Sequence, residues 1–373
     1  MSASTSDDSA DHGAGNGAEN IAGNGADNRA DNRADNGADN GAGNGAELDR
    51  CAQLRPAGNK VATWGILGTG AVAGALATRL AAQGHIVLIH GRDAAAARRV
   101  AARAGSRAAA VTDPLQLAGA RAMVLAVSDA ALEDVARELA RGLDARGLAA
   151  PHGAGAPRVV LHTSGAHGRE VLGALEDLGL ATGSVHPLVA LAPGSTGAAF
   201  EAAWFALDGP PVALHAARAL VAALRGPAAR ALPHTVTDGA AAPAVTRSSG
   251  ELGGGELVLG AARDAKLRYH AAASLVSGGV VALLALAEAE LVRAGAPLED
   301  ARAALAALAA SAVANTGAAG PSAALTGAAA RGDELLVRRH LGALGPRASA
   351  AYSALLPCMR ALAEARRGPE AQA

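Results

Sequence analysis

Gly68-Thr69-Gly70-Ala71-Val72-Ala73 follows the apolar run TWGIL and opens an alanine-rich stretch. Two glycines and a small residue at this spacing, set between a strand and a helix, form a turn suited to a dinucleotide. Gly68 permits the tight turn, and Gly70 lets a pyrophosphate approach the backbone. The helix N-terminus behind them offers free N–H groups and a dipole that favours anions. Thr69, Ala71 and Val72 complete the loop, and Ala73 with Gly74 is expected to keep the helix close to the strand.

Cofactor choice is read at the end of the second strand, where an acid binds a ribose hydroxyl and an arginine a 2′-phosphate. HIVLIH (85–90) runs into His90-Gly91-Arg92-Asp93, with no acid at the strand terminus. Arg92 offers paired donors to a phosphate, and Asp93 has the place and type of a helix N-cap. NADP is therefore expected over NAD. The alternative for Arg92 is a solvated loop arginine.

Three further segments end strands where ligands of parallel sheets bind: Val127-Ser128-Asp129, His162-Thr163-Ser164-Gly165 and Ser184-Val185-His186-Pro187. Val127, Ser128, Asp129 and Ser164 are candidates for cofactor contacts, and His186 for the substrate. Ser128 and Asp129 equally suit a helix cap, and His162 a satisfied half-buried histidine. Lys266 is one of only two lysines in the chain and stands four residues before His270, one helical turn away on the same face. Either can polarise a carbonyl and supply a proton to it. Asn315, late in a helix, can orient a substrate. A snorkelling lysine and a capping asparagine are the bland alternatives.

The elements that must hold these residues follow from periodicity. Strands are expected at 61–67, 85–90, 122–127, 158–164, 183–188 and 204–209, the first four each followed by a helix. That alternation predicts an α/β domain built on a parallel sheet. A stretch rich in Gly, Ala, Pro, Ser and Thr follows. Beyond it 267–295, 298–317 and two helices around 333–367 are helical by period, with Pro297 at a helix start and Pro321 after a helix end. The expected layout is a disordered tail (1–58), a Rossmann-like NAD(P)-binding domain (59–234), a linker or insertion (235–262) and an all-α C-terminal domain (263–366). The tail contains the repeats GNGAEN and GNGADN and lacks large apolar residues that could offset ordering entropy.

Composition narrows the function. Residues 1–50 carry ten acids and three bases, so the net charge of −1 conceals a mildly basic remainder without charge blocks. Together with 2% aromatics this disfavours a nucleic-acid groove. Cys51 and Cys358 are too few for a disulfide framework and suit a reducing cytosol. No spacing of Cys, His or acids suits a metal site. The acidic N-terminus is unlike a targeting peptide. The apolar run Ala271–Ala287, broken by serines and glycines, is expected to be a buried core helix instead of a membrane span. A soluble, cytoplasmic protein is expected.

The segments GILGTGAVAGALA, VLHTSGAHGREVL, GSVHPLVALA, FALDG, YHAAASLVSGGVVALL and ALTGAAARGD, in that order, resemble the Rossmann-like proteins carrying domain of unknown function 2520. The resemblance covers roughly residues 60–365 and extends in plan to ketopantoate reductase, 6-phosphogluconate dehydrogenase and pyrroline-5-carboxylate reductase. It implies an NADP-linked reductase of a small 2-oxo acid, ketopantoate first, whose helical domain supplies substrate contacts and a homodimer interface. His270, Ser277 and Asn315 match the family's pattern. Ala71 stands where the family has arginine, and Gly278 where it has asparagine. An imine reductase and a dinucleotide-binding sensor without turnover are the competing readings.

Overall fold

A computed structural model describes residues 61–148, 159–226, 254–258 and 264–367. The tail, Cys51 and most of the expected linker lie outside the described residues. Eight strands form one sheet: β1 Thr63–Leu67, β2 Ile86–His90, β3 Ala108–Ala110, β4 Ala122–Leu125, β5 Val159–His162, β6 Ala181–Leu188, β7 Trp204–Asp208 and β8 Glu256–Val258, in the order β3-β2-β1-β4-β5-β6-β7-β8. β1 to β6 are parallel throughout. β7 runs antiparallel to β6, and β8 runs alongside β7 in β7's direction.

Alternation along the strands makes two cores. Trp64 and Ile66 of β1 point to one face, where Leu76 and Leu80 of helix α1 (Ala71–Ala82) pack with Val100 of α2 (Ala94–Ala104). Leu67 points to the other, with Met123, Leu125 and the apolar stripe Leu132, Leu139, Leu143 of α3 (Asp129–Ala145). The first face continues under α4 (Pro211–Arg225), where Leu220 and Leu224 meet Phe205 and Leu207. Each fully buried leucine or phenylalanine stabilises the fold by about 1.5–3 kcal/mol.

Two strands escape the sequence pattern. β3 is three alanines, too small to register as an apolar run. β8 falls inside the stretch expected as linker, where Arg225 donates to the Ala203 and Gly255 carbonyls and Arg218 pairs with Glu256. Its place at the sheet edge is thus held by its ladder with β7 and by arginines on α4, one of which pairs with the β8 side chain Glu256.

The helical region comprises α5 (Ala265–Arg293), α6 (Leu298–Ala319), α7 (Glu334–Ala343) and α8 (Pro346–Arg367), with single helical turns between α6 and α7. Pro297 is the N-cap of α6, and Pro321 opens the turn after it. The expectation of a buried core helix at Ala271–Ala287 is corrected here. In α5 only Lys266 is buried, and Leu275, Val276 and Val281 are 76%, 67% and 68% exposed. α5 is apolar all round, and this chain lays too few helices against it to cover every face. It is the one helix among the described residues long and apolar enough to cross a membrane by length and composition.

Candidate functional site

The loop between β1 and α1 has the geometry of a phosphate cradle. Gly68 adopts φ 139°, its N–H donates to the His90 carbonyl at 2.8 Å, and a Cβ there would lie 2.1 Å from the Ala126 carbonyl oxygen. No L-residue with a side chain fits both constraints. Gly70 is the N-cap of α1 and brings no side chain to the cap; a Cβ on it would meet nothing within 4 Å. That open space lies over the first turn of α1, where Ala71 and Val72 have no helical carbonyl to which their N–H groups can donate. Ala73 is fully buried against the sheet side. Gly74 does not serve the strand contact expected of it: its bare face receives the Arg103 guanidinium from α2. Thr69 abuts Gly91, where a Cβ would lie 2.5 Å from the threonine methyl.

At the end of β2, Asp93 caps α2 by accepting from the Ala95 N–H at 2.8 Å, as expected. Bonds from the Ala96 and Ala95 N–H groups hold its carboxyl below the usual range. Arg92 beside it is exposed, and no described residue pairs with it. After β4, Val127 is half-buried, while Ser128 and Asp129 are exposed. Ser128 occupies the N-cap position of α3 without a side-chain capping bond, and Asp129 opens the helix.

The second half of the site lies beyond the ends of β5 and β6. β5 stops at His162, paired with Ser184, whereas β6 continues to Leu188 and carries His186 past the end of its neighbour. His162 is a satisfied core histidine, fully buried instead of half-buried. Its Nε2 donates to the Gly168 carbonyl at 3.0 Å and its Nδ1 accepts from the Ser164 N–H at 3.2 Å. Burial first, and the charge of Lys266 second, hold it down at about 3. Ser164 is committed to the turn as well, its Oγ accepting from the N–H groups of Ala166 and His167.

Lys266, Tyr269 and His270 arrive from the first turns of α5. His186 Nδ1 and the Tyr269 hydroxyl are 2.7 Å apart, and the His186 and His270 ring centroids 5.9 Å apart. Burial, then Lys266 and His270, lower His186 to about 4. Lys266 is buried, its Nζ lies 6.0 Å from the Tyr269 ring centroid, and desolvation lowers its pKa against the pull of Asp208 and Glu170. Three buried polar atoms of this cluster have no hydrogen-bond partner: Ser184 Oγ, Lys266 Nζ and His270 Nδ1. Unpaired buried polar groups are costly in a finished core and are what a site for a polar ligand presents.

The structure thus brings together Lys266, His270 and His186 with the end of β5. It does not bring Asn315, which is exposed on α6, nor Ser277, exposed on α5. Sequence reasoning did not select Tyr269, Ser184 or Gly165. Tyr269 did leave a signal: it is one of two tyrosines in the chain and directly precedes His270. Ser184 and Gly165 stand in two of the strand-end segments singled out above, but nothing in the sequence set them apart from their neighbours there.

Fold and site together define a Rossmann-like α/β domain, with a glycine turn after its first strand, whose strand ends are met by the first helix of a helical region. Comparison with known proteins agrees. Residues 63–148 match the family model described as NADP oxidoreductase, coenzyme F420-dependent, and residues 237–357 match domain of unknown function 2520. A candidate NADP oxidoreductase from Bacteroides fragilis superposes with a TM-score of 0.56 at 19% identity, covering 81% of this chain and 99% of that one. An imine reductase from a Pseudomonas species (TM-score 0.50, 16% identity) covers 81% of this chain and 93% of its own. A Streptomyces aurantiacus imine reductase (0.50, 17%) covers 83% and 95%. No curated protein matches the sequence.

Proposed function

We propose that this chain is an NADPH-dependent reductase of a small 2-oxo acid, with ketopantoate as the leading substrate. The observation that carries the reading is the set of unpaired buried atoms, Ser184 Oγ, Lys266 Nζ and His270 Nδ1, at the strand ends beyond a dinucleotide loop. The loop from Gly68 to Val72 would hold the pyrophosphate, and Val127 to Asp129 and Ser164 would border the nicotinamide. NADPH, when bound, supplies the hydride.

The protein's own residues do the rest. Lys266 presents a desolvated cation at the sheet end, suited to an anionic or strongly polarised group. Because burial lowers its pKa, its ammonium is a stronger acid than an exposed lysine and a better proton donor to the oxygen that develops charge. His270 offers a second donor or acceptor from the same helix face. Arg92, exposed beside a strand end without an acid, supports NADP over NAD.

The exposed apolar residues of α5 and α6, Leu275, Val276, Val281, Leu308 and Val313 among them, support a homodimer through the helical domain. Both ends of α5 are tied to the folded body, which favours an interface over a membrane span. Tyr269 bonds to His186 at one end, and Glu290 accepts from the Gly345 N–H at 3.0 Å at the other. The reading is accordingly of a soluble, cytoplasmic enzyme.

NADPH oxidation across a panel of 2-oxo acids and cyclic imines tests the proposal. Turnover of ketopantoate supports it. Turnover confined to cyclic imines would reassign the substrate, and NADPH binding without turnover of either class would make the chain a sensor.

A further inference from the structure

Tyr269 is not needed to explain cofactor or substrate binding, yet its hydroxyl stands 2.7 Å from His186 Nδ1, with the rings edge to face at 5.5 Å. The direction of that bond follows from chemistry. An imidazole lone pair accepts better than a phenol oxygen, and the phenol is the stronger acid, so the O–H donates and Nδ1 accepts. No other described residue accepts from Tyr269. Burial keeps the phenol protonated, its pKa pushed up to about 12, and keeps His186 neutral. A neutral imidazole carries one proton, which therefore sits on Nε2.

Nε2 faces Gly165. A Cβ on that glycine would lie 2.9 Å from His186 Nε2 and 2.5 Å from His270 Nδ1. The side of Gly165 that lacks a side chain is thus walled by two imidazole nitrogens, and His270 Nδ1 is buried without a partner.

We propose that Tyr269 is a positioning residue: it locks His186 as the Nε2–H tautomer and aims that N–H past Gly165 at the carbonyl oxygen of the substrate. His186 then polarises the carbonyl as a neutral, preorganised donor, and the proton delivered to the oxygen comes from Lys266 or His270. The identity of the acceptor atom rests on the reductase reading; the tautomer does not.

Nitrogen–proton correlation spectra of the full chain labelled with 15N-histidine test the tautomer directly, with His186 assigned by the signal lost in His186→Gln. The expected result at pH 7 is a protonated Nε2 and an unprotonated Nδ1 in the wild type. Tyr269→Phe should move both shifts toward a mixture of tautomers. An Nδ1–H tautomer in the wild type would overturn the proposal, as would wild-type shifts retained in Tyr269→Phe. If that variant failed to fold, the wild-type spectrum alone would still decide. With NADPH and ketopantoate, Tyr269→Phe should lower kcat by about tenfold or more, with KM changed much less. No turnover of any 2-oxo acid or cyclic imine by the wild type would bring down the reductase reading and leave the tautomer result standing.

Discussion

Gly68 meets the Ala126 carbonyl so closely that a Cβ on the glycine would lie 2.1 Å from the oxygen, whereas Gly70, two residues on, faces open space. The two glycines of one motif therefore answer to different constraints. Gly68 is required by the fold, whereas nothing in the fold stands in the way of a side chain on Gly70.

Substitution separates them. Gly68→Ala combines a backbone clash with an unfavourable φ and is expected to cost on the order of 3 kcal/mol of stability. Gly70→Val, at an extended φ of −73° and ψ of −174°, should unfold at nearly the wild-type denaturant midpoint. It should nevertheless lose NADPH binding, because the isopropyl group fills the cradle. Denaturant unfolding and nucleotide titration of both variants check this, and unchanged NADPH affinity in Gly70→Val would show the loop to be structural only.

Arg92→Ala should weaken NADPH and spare NADH. A charge-assisted contact to phosphate contributes about 1.5–3 kcal/mol, and the exposed position puts the effect near the lower end, a loss of roughly tenfold that shrinks with added salt. Titration of both nucleotides into wild type and variant decides it. Equal losses for the two would reduce Arg92 to a loop residue.

Two histidines make stability depend on acidity. In the fold His162 is held at about 3 and His186 at about 4, against about 6.5 for an unfolded histidine. Their contribution is complete above pH 6.5. As pH falls below that value, the unfolded chain takes up protons the folded one refuses, and stability declines until the folded values are reached. The slope is at most about 1.4 kcal/mol per histidine per pH unit. Urea midpoints at pH 7, 6 and 5 should fall in that order. His162→Gln should flatten the dependence, and a wild-type midpoint constant over this range would contradict the assignment.

The apolar surface of α5 and α6 predicts self-association. Leu275→Glu places a charge on a helix face that is already exposed in the single chain, so the protomer should keep its helical circular dichroism. Light scattering should report a dimer for the wild type and a halved mass for the variant. An equal mass for both would place the interface elsewhere.

Much of the α/β half of the fold was legible in the sequence, because a parallel strand buried on both faces is a continuous apolar run and its helix an amphipathic stripe. β1, β2, β4 and β5 were legible on that ground, and the glycine turn was placed by its neighbours. β3 and β8 were not, since three alanines carry no periodic signal and β8 is fixed by Arg225 and Arg218 from α4. The exposure of α5 was also hidden. An all-apolar helix has no preferred face, so its sequence does not say how much of it one chain can cover.

The sequence by itself determined the glycine turn between β1 and α1, the α/β pattern with helices after it, and the one-turn spacing of Lys266 and His270, since each is a matter of spacing along the chain. Only the tertiary structure decided which strand-end residues are spent on structure and which remain free. His162 and Ser164 are consumed by backbone bonds, while Ser184, Lys266 and His270 keep unpaired atoms. Tyr269 joined the site, and Asn315 stayed on an exposed helix. The physical reason is that a polar group's role depends on partners far away in sequence. His186 and Tyr269 are 83 residues apart along the chain, and no local pattern records that they meet.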